Sequence, residues 1–257
     1  MHVGLIGAGA IGKQVLAYFD DRPDDTVTLL VREGRASPGG RTGVTESLAD
    51  FLARRPDIVV EAAGQRVVAE LVEPILAAGI PVIICSTGAF ADGGLLARLT
   101  RCAKEAKTEL KIASGAVAGL DYVRIAALLP DVQIRYSSRK PVAAWRRELE
   151  SHKLDPDGLV EPVTLFEGSP GEAAQLYPRN LNAALTVALA AAPAPVTVRV
   201  IADPEASGNC HEIDVSSRLG SAHMKFMNAP DPENPKTSLI TAFSVIRLIE
   251  DYRSRPA

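Results

Sequence analysis

The stretch that most constrains this chain is its first twelve residues, MHVGLIGAGAIG. An apolar run, Val3 to Ile6, leads directly into Gly7, Ala8, Gly9, Ala10, Ile11 and Gly12, and a helix-forming stretch from Lys13 to Phe19 follows. The implied order is strand, tight turn, helix. Gly7 permits the sharp turn off the strand, Gly9 lets the backbone approach a pyrophosphate, and Gly12 lets helix and strand pack closely. Ala10 and Ile11 open the helix, whose free N–H groups and partial positive charge suit phosphates. An ordinary glycine turn would satisfy the bare spacing. The strand before it and the helix after it point to a dinucleotide site.

The segments that follow alternate in the same way. Strands are expected at Thr26 to Val31, Ile58 to Val60, Pro81 to Cys85 and Leu110 to Ala113, with helices over Ser47 to Arg55, Val67 to Ala78 and Leu95 to Ala106. Between the second strand and the next helix, Gly34 to Gly43 reads as a flexible basic loop, and Glu61 to Gln65 as a turn of small residues. This rhythm implies an α/β fold of Rossmann type, a doubly wound parallel sheet with ligands at the carboxyl ends of its strands. Arg32 follows the second strand, where an acidic residue would favour the ribose of NAD and an arginine can meet the 2′-phosphate of NADP. Use of either NAD or NADP is therefore the expectation, with a solvated strand-end arginine as the plain alternative.

From Ser114 the texture changes. Ser114 to Gly119 reads as the crossing into a second domain, small enough to leave room for a nicotinamide ring. Strands are expected at Gln133 to Ser138, Val163 to Phe166, Val196 to Ala202, His211 to Ser217 and Ala222 to Met227, with helices at Ala173 to Tyr177 and Leu181 to Ala191. The polar stretch after Trp145, through Gly158, reads as a surface excursion. The sum is a second, α+β domain. The expected division is residues 1–113 for the dinucleotide, 114–235 for substrate, and a tail helix within 236–257 returning to the first domain.

The 257 residues are 47% hydrophobic and 23% charged, with a net charge of −3. That is ordinary globular composition without the basic footprint of a nucleic-acid binder or a run long enough to span a bilayer. Cys85, Cys102 and Cys210 are scattered, which argues against a disulfide framework or a zinc site. The reading is a cytoplasmic protein with no membrane or nucleic-acid partner and no metal.

His211 is the first candidate for chemistry. Strand alternation puts it on one face with Ile213 and Val215, pointing towards the sheet's covered or cleft face. An imidazole suits proton handling beside a hydride transfer, although a buried, backbone-satisfied histidine has the same pattern. Lys236, Thr237 and Ser238 in Asn-Pro-Lys-Thr-Ser resemble a helix start able to hold a carboxylate, or simply a capped helix. Lys140, in Arg-Lys-Pro, is another cation beside a strand end. In Tyr177 to Asn182, Asn180 reads as an N-cap and Asn182, one turn in, as the better ligand candidate.

Taken together, these segments resemble the L-aspartate dehydrogenase family over essentially the whole chain. The resemblance rests on residues 4–12, Glu61 to Gln65, Ser86 to Asp92, Ser114 to Asp121, Arg139 to Pro141, Tyr177 to Asn182, Asn209 to His211 and Asn234 to Ser238. It implies oxidation of L-aspartate to iminoaspartate with NAD or NADP, feeding de novo NAD synthesis, and in reverse the use of oxaloacetate and ammonia. The family's catalytic histidine falls on His211, and its cofactor contacts fall on Ala116 and Asn182. Arg32 stands where many relatives carry an acid, and Ala118 where many carry glycine. The competing readings are a dihydrodipicolinate-reductase-like enzyme and a dinucleotide sensor without turnover. A homodimer or higher homo-oligomer is expected, with the second domain's sheet as its pairing surface.

Overall fold

The structure, a computed structural model, describes residues 1–32, 42–91, 93–177, 182–234 and 237–255. It divides into two units, Met1–Gly115 with Thr241–Ala257, and Ala116–Ile240.

In the first unit the elements run β1 (His2–Ile6), α1 (Ala10–Asp20), β2 (Thr26–Leu30), β3 (Gly43–Thr45), α2 (Leu48–Ala53), β4 (Ile58–Glu61), α3 (Gln65–Ala77), β5 (Val82–Ile84), α4 (Gly94–Glu105) and β6 (Leu110–Ile112). The six strands form one sheet in the order β3-β2-β1-β4-β5-β6, and every pairing is parallel. This is the Rossmann-type arrangement the alternation implied. Parallel strands covered on both faces must be apolar throughout, and Val3, Leu5, Ile58, Val60 and Ile83 are wholly buried. Each such side chain contributes roughly 1.5–3 kcal/mol by leaving water.

The second unit continues with α5 (Leu120–Ala126), β7 (Gln133–Pro141), α6 (Arg146–Ser151), β8 (Val163–Gly168), α7 (Pro170–Leu176), α8 (Asn182–Ala191), β9 (Val196–Asp203), β10 (Cys210–Ser217) and β11 (Gly220–Met227). Its five-stranded mixed sheet has the order β11-β10-β7-β9-β8, with β7 and β9 parallel and the other pairs antiparallel. One face carries Ile134, Tyr136, Val198, Val200, Ile213 and Val215 into a core shared with Leu120 and Val123 of α5 and Ala184 and Val187 of α8. The last helix, α9 (Ile240–Arg253), places Val245, Ile246 and Ile249 in the core of the first unit, beside Val3, Val15 and Phe19.

The structure departs from the sequence reading at several elements. Gly43, read as loop, begins the short edge strand β3; residues 33–41 lie outside the described residues. The region after Gly119, left without an element, contains α5. The polar excursion contains a 3-10 turn, Val142–Trp145, and α6, and it buries both Trp145 and Leu149 completely. The indole that ends the turn and the leucine within the charged six-residue helix suffice to anchor the segment, since such a helix needs only a narrow apolar stripe. Finally, α9 begins at Ile240, so Thr237 and Ser238 precede the helix instead of opening it.

Candidate functional site

In the first unit the glycine turn is built by backbone contacts that exclude other residues. Gly7 has φ +102°, and a Cβ there would lie 2.7 Å from the Ala62 carbonyl oxygen. A Cβ on Gly12 would overlap the Gly7 carbonyl oxygen. Gly9 differs: its φ of −81° suits any residue, and a Cβ would meet no protein atom within 4 Å. That open space lies at the N-terminus of α1, where Ala10, Ile11 and Gly12 form the first turn without a side-chain cap or an acidic residue. It is where a pyrophosphate needs room, with N–H groups and the helix dipole ready to receive it.

A cavity of about 290 Å³ opens beside the turn, lined by residues that include Gly7, Gly9, Leu30, Val31, Arg32, Glu46, Ala62 and Ala63. Apolar walls with charged groups at one end suit an adenosine with its ribose beside Arg32 and Glu46. The residues present therefore fit a dinucleotide. The loop from Ala62 to Gly64 is held from beneath by Glu61, a wholly buried carboxylate. It accepts hydrogen bonds from the amides of Ala63 (2.8 Å), Gly64 (2.8 Å) and Ser86 (3.0 Å) and from the Ser86 hydroxyl (2.9 Å). The sequence reading placed Glu61 in a turn. It is the last residue of β4, and the buried charge is met by donors from two loops.

In the second unit the covered face of the sheet turns polar at one end. Strand alternation sets Ile134, Tyr136, Ser138 and Lys140 of β7 on this face, and the antiparallel register puts His211 opposite Ser138 and Phe226. His211 is 5% exposed, and its Nδ1 lies 2.7 Å from the Tyr136 hydroxyl. Burial, and next to it the charge of Lys140, pull the imidazole down from 6.5 to about 4. The ring is neutral at physiological pH. Burial raises the wholly buried Tyr136 phenol, with the nearby Ser138 hydroxyl opposing the rise in part. Lys140 is also buried, its ammonium 5.4 Å from the centroid of the Trp145 ring.

The other candidates are spread through the second unit. The Ala116 carbonyl accepts a 2.8 Å hydrogen bond from the Asn228 amide, fixing the backbone there. Asn182 is exposed and is the first described residue of α8; Asn180 and the rest of 178–181, on which its place in the helix depends, lie outside the described residues. Lys236 also lies outside them. The Thr237 hydroxyl accepts from the Asn234 side chain (3.0 Å), and the Thr237 amide donates to the Asn234 carbonyl (2.8 Å). Ser238 is buried in an antiparallel bridge to Pro230. Asp231 ties this loop from inside by accepting from the amides of Glu233 and Asn234. Sequence reasoning missed Tyr136 and Glu61. Alternation gives Tyr136 the inward parity of Ile134, but its place diagonal to His211 comes from a strand register that joins residues 75 apart in sequence.

Among the described residues no group of three or more His, Cys, Asp or Glu is arranged to hold a metal ion, and no helix is long and apolar enough to cross a membrane.

Residues 7–113 match the family model "Homoserine dehydrogenase, NAD binding domain", and residues 121–252 match "Aspartate dehydrogenase, C-terminal". L-aspartate dehydrogenase 2 of Bordetella pertussis is 44% identical, over 98% of this chain and 97% of that one. The chain belongs to the aspartate dehydrogenase family. It is thereby one of the oxidoreductases that use a pyridine nucleotide. L-aspartate dehydrogenase of Cupriavidus necator is 33% identical over 97% of this chain and 96% of its own length. The crystal structure of aspartate dehydrogenase from Thermotoga maritima superposes with a TM-score of 0.78 at 27% identity, covering 100% of this chain and 98% of that one. The two-unit plan and both sheets are thus those of the aspartate dehydrogenase family. An archaeal homoserine dehydrogenase in complex with NADPH shares the fold alone, with a TM-score of 0.60 at 11% identity.

Proposed function

We propose that this protein is an NAD(P)-dependent L-aspartate dehydrogenase. It oxidises L-aspartate to iminoaspartate, runs in reverse from oxaloacetate and ammonia, and supplies de novo NAD synthesis. The observation that carries the reading, beside family membership, is a buried imidazole at the polar end of an otherwise apolar sheet face, with the Lys140 ammonium on the same face. Positive charge there favours an anionic substrate such as a dicarboxylate.

A bound dinucleotide would accept the hydride from the substrate α-carbon, while the amine lone pair forms the imine and one N–H proton is released. The chain's own residues do the rest. Gly7, Gly9, Ala10, Ile11 and Gly12 receive the pyrophosphate, and Ala62 and Ala63 line the adjacent wall. Arg32 and Glu46 offer opposite charges at the ribose end, which supports use of both NAD and NADP. Ala116 and Asn182 are proposed as further cofactor contacts. His211 is the catalytic residue, engaging the group on the reacting carbon. Thr237 and Ser238 with Lys236 are proposed to hold the substrate carboxylates; the Thr237 hydroxyl, having accepted from Asn234, still has a proton to donate.

The test is initial-rate kinetics with L-aspartate against a panel of amino acids, with NAD and with NADP, on the wild type and His211→Ala. Turnover confined to aspartate and a kcat lowered by about two to four orders of magnitude in the variant support the reading. Turnover of a cyclic dihydrodipicolinate instead, or cofactor binding without any turnover, overturns it. The uncovered face of the second unit's sheet, carrying Arg135, Arg199 and Asp214, is the surface proposed to pair in a cytoplasmic homodimer or larger homo-oligomer. Light scattering that returns the mass of one chain rejects that part.

A further inference from the structure

The Tyr136 hydroxyl is wholly buried and must place its single proton on an acceptor. Its hydrogen-bond partner among the described residues is His211 Nδ1, at 2.7 Å, with the two rings stacked 6.0 Å apart at an interplanar angle of 25°. Ser138 Oγ, buried on the same face, is near enough to oppose the rise of the phenol in part, but it has no partner at hydrogen-bond distance and angle, whereas His211 Nδ1 has both. A phenol in this environment keeps its proton, because burial disfavours the phenolate. The O–H therefore donates, and Nδ1 must be the bare ring nitrogen. In the opposite tautomer Nδ1–H would point at the phenol oxygen, and the phenol proton would lose the acceptor it has among the described residues. The ring proton consequently sits on Nε2, the edge of the imidazole turned away from Tyr136.

We infer that Tyr136 is a positioning residue that holds His211 as the Nε2–H tautomer, so that the imidazole meets substrate as a hydrogen-bond donor and not as a base. This rests on His211 being the residue that engages substrate. The imidazole then polarises the oxygen on the reacting carbon, as in the keto group of the amination direction, without a net proton transfer. Lys140, the charged group facing the ring from β7, works in the same sense, since a second positive charge on the imidazole beside it is disfavoured; Phe226 of β11 adds no titratable group. The proton released from the substrate amine accordingly passes to solvent water and not to His211 Nε2.

The experiment is nitrogen NMR of the histidine-labelled full-length enzyme, combined with kinetics of Tyr136→Phe and His211→Asn. In the wild type, His211 should show a protonated Nε2 and a bare Nδ1. In Tyr136→Phe, which keeps the ring volume, the two tautomers should mix. Its kcat should then fall about tenfold, the worth of one hydrogen bond, with KM for the dinucleotide unchanged. A wild-type spectrum with the proton on Nδ1 overturns the inference even if the variant does not fold. So does Tyr136→Phe with the wild-type tautomer and wild-type kcat. His211→Asn separates the two levels: a large loss there with the proton on Nδ1 sinks the tautomer alone, whereas near-normal turnover in His211→Asn removes the role of His211 itself.

Discussion

At the scale of single residues, the buried polar groups carry the testable consequences. His211 has its folded pKa near 4, against 6.5 for an unburied imidazole, so between those values the unfolded chain binds more protons. Its contribution is present in full above pH 6.5 and is lost as pH falls towards 4. It amounts to about 3 kcal/mol. Wild-type stability should therefore fall more steeply than that of His211→Asn as pH drops through this window, measured by urea denaturation at a series of pH values. Parallel curves would mean that the imidazole is solvated. Glu61→Ala would leave three amides without their acceptor and should cost about 3 kcal/mol or more. A loss under about 1 kcal/mol would show that water replaces the carboxylate. His211 was legible in the sequence because two-residue alternation assigns its face. Tyr136 and Glu61 were not, because what distinguishes them is a partner distant in sequence: 75 residues for Tyr136 and 25 for the link from Glu61 to Ser86.

At the scale of elements, the β1–α1 turn separates folding from binding within three residues. Gly12→Ala would force its methyl into the Gly7 carbonyl oxygen and should destabilise the first unit. Gly9→Ala meets no protein atom, and its backbone conformation is open to alanine, so its melting temperature should stay at the wild-type value. Its affinity for dinucleotide should nevertheless drop by about tenfold or more, because the methyl occupies phosphate space. Calorimetric titration with NAD checks this, and an unchanged Kd would place the pyrophosphate elsewhere. The buried parallel strands were legible because each is a run of aliphatic residues bounded by turn formers. Short elements were not: β3 has three residues and follows a glycine-rich segment, α5 has seven and follows Gly119, and α6 hides its anchoring Leu149 among charges. The start of α9 was misplaced because Pro, Thr and Ser favour helix N-termini, yet here the backbone of Thr237 and Leu239 is drawn into loop bonds with Asp231 and Ala229.

At the scale of the whole molecule, the second unit is an insertion into the first, since the chain leaves the first unit after Gly115 and re-enters it at Thr241. The two ends of that break are neighbours within the first unit: the Gly115 amide donates to the Ser244 hydroxyl at 3.1 Å. The returning helix is integral to its core, with Val245 and Ile249 wholly buried. Its end is also tied to the start of the chain: burial raises the Asp25 carboxyl, but hydrogen bonds from Arg253 (2.6 Å) and the Met1 ammonium (3.0 Å) outweigh it and hold the carboxyl below its usual range. A chain ending before α9 should therefore lose the first unit's fold, and Ile249→Ala alone should cost roughly 2–5 kcal/mol. The converse follows from the adjacency of the break. Replacing residues 116–240 by a short glycine-serine linker costs little closure entropy and removes no side chain from the first unit's core. The excised protein should fold cooperatively, bind NAD through the glycine turn but more weakly than the whole chain, because the contacts proposed at Ala116 and Asn182 are gone, and show no oxidation of aspartate, because His211, Tyr136 and Lys140 are gone. Circular dichroism establishes folding, and titration and rate assays test the rest. A folded excision product that binds NAD as tightly as the whole chain would remove Ala116 and Asn182 from the cofactor site, and one that still oxidises aspartate would detach the chemistry from His211 altogether.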